Sequence, residues 1–187
     1  MGHATPDTPL ATASDVVAFW RDAGPDRWFT KDDAFDRRFH TQGLALYEAA
    51  ARGGLAPWAA RPEGALALVL LLDQFPRNSF RGTARMFATD ALARTVAAAA
   101  IEAGHDRAVH PDLRVFFYLP FEHSEELADQ DRSVALAAPL NADYRAYAEL
   151  HRDIIRRFGR FPHRNAILER ATTAEEQRFL DDGGFAG

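Results

Sequence analysis

Residues 62–82 read "PEGALALVLLLDQFPRNSFRG", and the reading of this stretch decides the fold. Pro62 suits a first helical turn, where a missing N–H costs nothing. From Ala65 to Leu72 the chain is apolar on most helical faces, which predicts a central, deeply buried helix. Polarity returns at Asp73 and Gln74. Phe75-Pro76 then predicts the end of that helix, because proline removes a ladder donor and restricts the residue before it. Arg77-Asn78 follow the break, and "FGRFPHRN" at 158–165 repeats the pattern with Arg164-Asn165.

Around this helix the remaining segments read as helices too. Ser14 is placed to cap "DVVAFWRDA", which Gly24-Pro25 stops. "DDAFDRRFHTQGLALYEAAARGG" sets Phe35, Phe39, Leu46 and Ala50 at helical spacing. Thr89 or Asp90 caps "ALARTVAAAAIEA", and His110-Pro111 opens the aromatic "DLRVFFYL", which Pro120 interrupts. Ser124 with Glu125-Glu126 reads as a helix start running to about Ala138. Asn141 caps "ADYRAYAELHRDIIRRF", closed by Gly159. "TTAEEQRFL" carries capping-box spacing, Thr172 to Glu175 or Thr173 to Glu176, and "DGGF" reads as a helix stop. No segment alternates with period two. The expectation is an all-α chain of about eight helices in stacked antiparallel hairpins, a flexible arm over residues 1–13 and a single domain over 14–187.

The totals bound the function. A chain of 187 residues, 47% hydrophobic with 14 Phe and 3 Trp, is long enough to build one core. With no cysteine it has no disulfide, thiol nucleophile or thiolate metal site. A formal charge of −5 argues against a nucleic-acid or acidic-membrane binder. Lys31 is the only lysine, so the positive charge is almost wholly arginine, suited to planar bidentate pairing. No signal peptide or spanning segment is legible, and the reading is cytoplasmic.

Polar residues on apolar faces point to the site. After Ser124 the apolar stripe is Leu127, Val134 and Ala138, and His123 and Gln130 fall on it. After Asn141 the stripe is Tyr144, Tyr147, Ile154, Ile155 and Phe158, and His151 falls within it. Asp73 and Gln74 join them at the end of the central helix. Inward polar groups must find partners, either one another in a satisfied core network or a ligand in a shared pocket. Arg77, Arg81 and Arg85 recur at four-residue intervals, and Arg132, Arg160 and Arg164 are candidates for an opposite wall. Such arginines either pair with acids such as Asp73 and Asp129 or hold a carboxylate or phosphate.

Two other chemistries fit poorly. His123 and Glu126 share a face with Glu122 and Asp129 nearby, but the order is His before Glu and has no second copy, so a metal there is not expected. Ser124 is occupied by capping, and neither a nucleophile elbow nor a phosphate loop is present.

Three blocks, "LLDQFPRNSFRGTARMFATD", "FFYLPFEHSEELADQDRSV" and "IIRRFGRFPHRNAILERATTAEEQRFL", resemble the bacterial domain-of-unknown-function 924 family from Asp15 to Leu180. The resemblance implies an all-α fold of the tetratricopeptide-like helical superfamily and no settled activity or cofactor. Glu169 stands where the family more commonly carries glycine.

Taken together, the residues point to a polar cleft that binds a small anionic metabolite. Its expected lining is Asp73, Gln74, Arg77, Asn78, Arg81, Glu126, Asp129, Gln130, Arg132, Arg160, His163, Arg164 and Asn165. His123 or His151 would serve as general acid/base. The competing readings are a tetratricopeptide-like groove for a peptide and a purely structural polar core. Enclosed arginines would favour the metabolite, and arginines solvated along a groove the peptide.

Overall fold

The computed structural model describes residues 8–185, so residues 1–7 of the expected arm lie outside the described residues. Every regular element among them is helical. The helices fall into two compact units, Met1–Arg81 with Arg85–Pro120, and Gly82–Ala84 with Phe121–Gly187.

The first unit opens with α1 (Ala13–Ala23). Its cap is Thr12 rather than Ser14: Thr12 accepts from Asp15 N–H and Asp15 returns the bond in a capping box. Ser14 turns away and donates to Glu63 at 3.1 Å. Ahead of the cap, Leu10 N–H donates to the Gln42 carbonyl at 3.0 Å, tying the entering chain to the next long helix. A short α2 (Pro25–Trp28), which periodicity is too brief to reveal, precedes α3 (Asp33–Ala51), capped by Asp32.

The central stretch forms α4 (Pro62–Val69), as the apolar run predicts, but Phe75-Pro76 does not end it. The ladder widens into a π segment over Leu70–Gln74 and resumes as α5 (Phe75–Ser79), with Phe75 N–H donating to the Leu70 carbonyl. In an unbroken α-helix Pro76 would sit against the Leu72 carbonyl without a donor for it. The π turn relieves that clash, and Thr89 Oγ1 supplies a donor to Leu72 O at 2.6 Å. Thr89 is therefore a strut to the central helix, and makes no side-chain cap on α6 (Asp90–Glu102). The aromatic stretch after His110 is a 3₁₀ turn, Pro111–Phe117, and Pro120 lies inside α7 (Leu119–Glu122) rather than breaking it.

Large rings close this interior. Phe39 meets Phe75 at 5.0 Å and Trp20 at 5.5 Å between centroids, and Trp20 stands edge-on to Phe116 at 5.4 Å. Each such buried ring contributes roughly 1.5–3 kcal/mol.

The second unit is built on the hairpin of α8 (Leu127–Ala137) and α9 (Ala142–Phe158). Asn141 caps α9 as expected. Helix α8 starts two residues later than a Ser124 cap predicts: Ser124 Oγ accepts from Glu126 N–H at 3.2 Å and donates to the Asp129 carboxylate at 2.7 Å, but Glu126 is the cap residue. The buried face of α9 is largely the one expected, with Tyr147 the exception, whereas that of α8 is rotated around Gln130. Gln130, Ser133 and Ala137 point inward on α8, while Leu127 is 44% exposed; on α9, Ala148, His151, Ile154 and Ile155 are buried and Tyr147 is 58% exposed. Ile154, Ile155 and Phe161 form the apolar centre, with Phe158, Phe179 and Phe185 packed on it. Helix α10 (Ala174–Asp181) carries the second of the two possible capping boxes, Thr173 with Glu176.

Candidate functional site

The expected site residues divide between the units. In the first, Arg77 is held by carboxylates. Nη1 and Nη2 donate to Asp90 Oδ1 and Oδ2 at 2.8 and 3.0 Å, and Nη1 lies 3.1 Å from Asp73 Oδ1. Burial works against the guanidinium charge, but Asp73 and Asp90 overcome it and raise its pKa. Gln74 donates to Asp73 Oδ2 at 2.6 Å. Asn78 and Arg81 both reach back to Asp36, at 2.7 and 2.9 Å. Asp73, Gln74, Arg77, Asn78 and Arg81 thus belong to charge networks that join α5 to α3 and α6. Such networks fix helix register, since removing one partner would strand a buried charge.

The second unit gathers the histidines. His151 projects from the buried face of α9, and its Nδ1 lies 2.8 Å from the Tyr147 carbonyl. A carbonyl can only accept, so Nδ1 carries the proton and Nε2 is the basic atom of the neutral ring. Burial lowers the pKa of His151 to about 4, with His123, Arg164 and His163 adding to the effect. The hydrogen bond to the Tyr147 carbonyl pulls the other way and does not prevail, and the Glu122 carboxylate lies 3.4 Å from Nδ1. His163 is likewise lowered to about 4, first by burial and then by Arg164.

Two phenylalanine rings join these histidines. Phe161 lies 5.6 Å from each imidazole, and Phe185 lies 4.5 Å from His151 and 5.3 Å from His163. The Arg164 guanidinium rests over the Phe161 ring at 4.4 Å and is 7% exposed. Phe161 is fixed in turn by Glu125, whose Oε1 accepts its backbone N–H at 2.9 Å. Arg170 clamps the same carboxylate through two hydrogen bonds of 2.7 and 2.9 Å. Burial pushes the Glu125 pKa up, yet Arg170 and the Phe161 N–H hold it below the ordinary value.

The other expected residues of this unit serve its framework. Gln130 is fully buried and donates to the carbonyls of Glu122 and Ser124 at 2.7 and 2.6 Å, holding the turn that carries His123. Arg132 lies over Phe121 at 4.3 Å, and Asp129 accepts from Ser124. Glu126 is the exposed N-cap residue of α8. Arg160 grips Glu176 at 2.6 and 2.8 Å, holding that carboxyl down at about 2. Asn165 is buried and donates to Thr172 at 3.4 Å. The two Phe-Pro-x-Arg-Asn-like stretches therefore serve different ends: the first Arg is locked between carboxylates, and the second lies beside imidazoles.

Phe161, Arg170 and Phe185 carry no role in the sequence reading, where Glu122 and Glu125 figure only as an acid near His123 and part of a helix start. Glu125 was legible as an acid near a helix start, but its partners are 36 and 45 residues away, beyond any local pattern. Among the described residues no cluster of three or more metal-ligating side chains occurs, and no helix is long and apolar enough to cross a membrane.

Comparison with known proteins agrees with this architecture. A solved structure of a protein of unknown function from Agrobacterium tumefaciens is 58% identical, covering 91% of this chain and 97% of that one with a TM-score of 0.90. No curated protein matches. Residues 16–184 match the family described as bacterial protein of unknown function, DUF924. Over nearly its whole described length, then, the chain belongs to the DUF924 family.

Proposed function

We propose that the second unit binds a small anionic metabolite at His123, His151, His163 and Arg164, with an imidazole available for acid/base chemistry. The observation that carries this reading is the enclosure of Arg164 beside two neutral imidazoles, both of whose pKa values it lowers. A positive potential at buried, uncharged rings suits a ligand that brings negative charge. An anion there would reverse the effect of Arg164 and raise the imidazole pKa values toward neutrality. Bound ligand would thereby turn His151 Nε2 from a weak base into a useful one. His163 Nδ1 adds support: it is buried with no hydrogen-bond partner among the described residues, and when protonated it can donate to an anion.

A thermal-shift and calorimetric screen with inorganic phosphate and small carboxylates tests the reading. A bound anion at about 100 times its Kd should stabilise by about 2.7 kcal/mol, and Arg164→Ala should abolish the shift. Affinity should rise as the pH is lowered from neutrality, because binding takes up protons. Failure of every anion to stabilise the protein, or equal shifts in Arg164→Ala, would refute it.

A second reading, a tetratricopeptide-like surface for a peptide, is favoured by Tyr147 and Leu150 standing exposed on α9. Peptide binding lost in Tyr147→Ala and retained in Arg164→Ala would select it.

A further inference from the structure

We infer that the turn Gly183-Gly184-Phe185 is a reversible cover over His151 and His163, an inference that rests on reading these histidines as the functional groups of the second unit. Helix α10 ends at Asp181, and the chain then doubles back. Gly183 takes φ +79°, a left-handed conformation that side chains disfavour. Gly184 donates its N–H to the Phe179 carbonyl at 2.9 Å. A Cβ on Gly184 would meet that same oxygen at 2.4 Å and the Phe179 ring at 2.6 Å, so only glycine makes this turn.

The turn delivers Phe185 edge-on against both imidazoles, at 4.5 and 5.3 Å between ring centres. A plain helix stop would require none of this aim. Among the described residues the backbone hold is slight: Gly183 donates to Leu180 at 3.2 Å and Gly184 to Phe179. A segment held by two terminal hydrogen bonds and one half-buried ring opens at far lower cost than the helices beneath it. Opening uncovers the edges of both histidines while α9 and the Glu125–Arg170 clamp stay in place. The same opening would admit a ligand to them.

Carbethoxylation by diethyl pyrocarbonate, which attacks neutral accessible imidazoles, tests the cover without any ligand. Wild type, Phe185→Ala and Gly184→Ala are compared near neutral pH, with modification read by peptide mass spectrometry and exposed His110 as the internal reference. Both variants should react about tenfold faster or more at His151 and His163, with His110 unchanged. Unaltered rates in Phe185→Ala would overturn the inference.

Wild type alone provides the second measurement, which holds even if a variant folds poorly. Its modification rate at His151 is followed in urea below the unfolding transition. A denaturant slope much smaller than that of global unfolding supports local opening, and an equal slope overturns it. Inorganic phosphate separates the two ideas. If phosphate gives no protection while Phe185→Ala still accelerates the reaction, the anion reading fails and the cover stands.

Discussion

Thr89 Oγ1 donates a 2.6 Å hydrogen bond to the carbonyl of Leu72, the atom that an unbroken α-ladder would pair with the donorless Pro76. This bond lets a buried helix carry a proline without ending. It also explains why Thr89 spends its hydroxyl on a neighbour instead of on its own helix. Thr89→Val should cost about 1–3 kcal/mol in urea unfolding, since it leaves a buried carbonyl short of its donor. Thr89→Ser should recover most of that loss.

The Glu125–Arg170 clamp holds Phe161 beneath the histidines. Arg170→Met should destabilise by roughly 1–3 kcal/mol, because a half-buried carboxylate is left with one backbone donor. A double-mutant cycle with Glu125→Gln should show coupling of about 0.5–3 kcal/mol. Independent, additive losses would show that the clamp does not act as a unit.

Acid should weaken the second unit in a defined window. His151 has a folded pKa of about 4 against its ordinary 6.5, so below 6.5 the unfolded chain binds the proton first. Stability from this group is complete above pH 6.5 and drains away as the pH falls to about 4. The loss from His151 alone is on the order of 3 kcal/mol. Glu176, held at about 2 by Arg160, loses its contribution only as the pH falls from 4.5 toward 2, so the two windows separate. Urea midpoints measured across both windows should show two declines, and His151→Leu should shrink the upper one, leaving the share that His163, also lowered to about 4, contributes.

Glu169 has φ 54°, a left-handed backbone on a non-glycine residue. It closes the turn in which Arg170 N–H returns to the Asn165 carbonyl at 2.8 Å, so the strain positions the Arg170 guanidinium. Glu169→Gly should stabilise by about 0.5–1 kcal/mol, the left-handed penalty less the extra entropy of glycine. A loss of stability would mean that the Glu169 side chain makes a contribution of its own.

Much of the fold was legible because its causes are local. The apolar run at 65–72, Asp32 and Asn141 as caps, and the Thr173–Glu176 box depend on residues a few positions apart. The misplaced starts at Ser14 and Ser124 have separate reasons. Thr12 takes the α1 cap in a box with Asp15 while Ser14 donates to distant Glu63, and Ser124 accepts from Glu126 N–H and donates to Asp129 in the turn ahead of α8. The rotated face of α8 follows from small residues, Ser133 and Ala137, taking the buried positions that larger apolar residues were expected to fill.

By itself, then, the sequence determined an all-helical, cysteine-free, acidic chain whose histidines and arginines sit among apolar neighbours. Composition and spacing along the chain set each of those properties. Tertiary structure alone decided which arginine became a structural strut and which lies beside imidazoles. Arg77 and Arg164 stand in nearly the same local words, and only the side chains brought to them differ: Asp73 and Asp90 around one, Phe161, His151, His163 and Glu125 around the other. A charge is defined by its surroundings, and those surroundings come from residues far away in the chain.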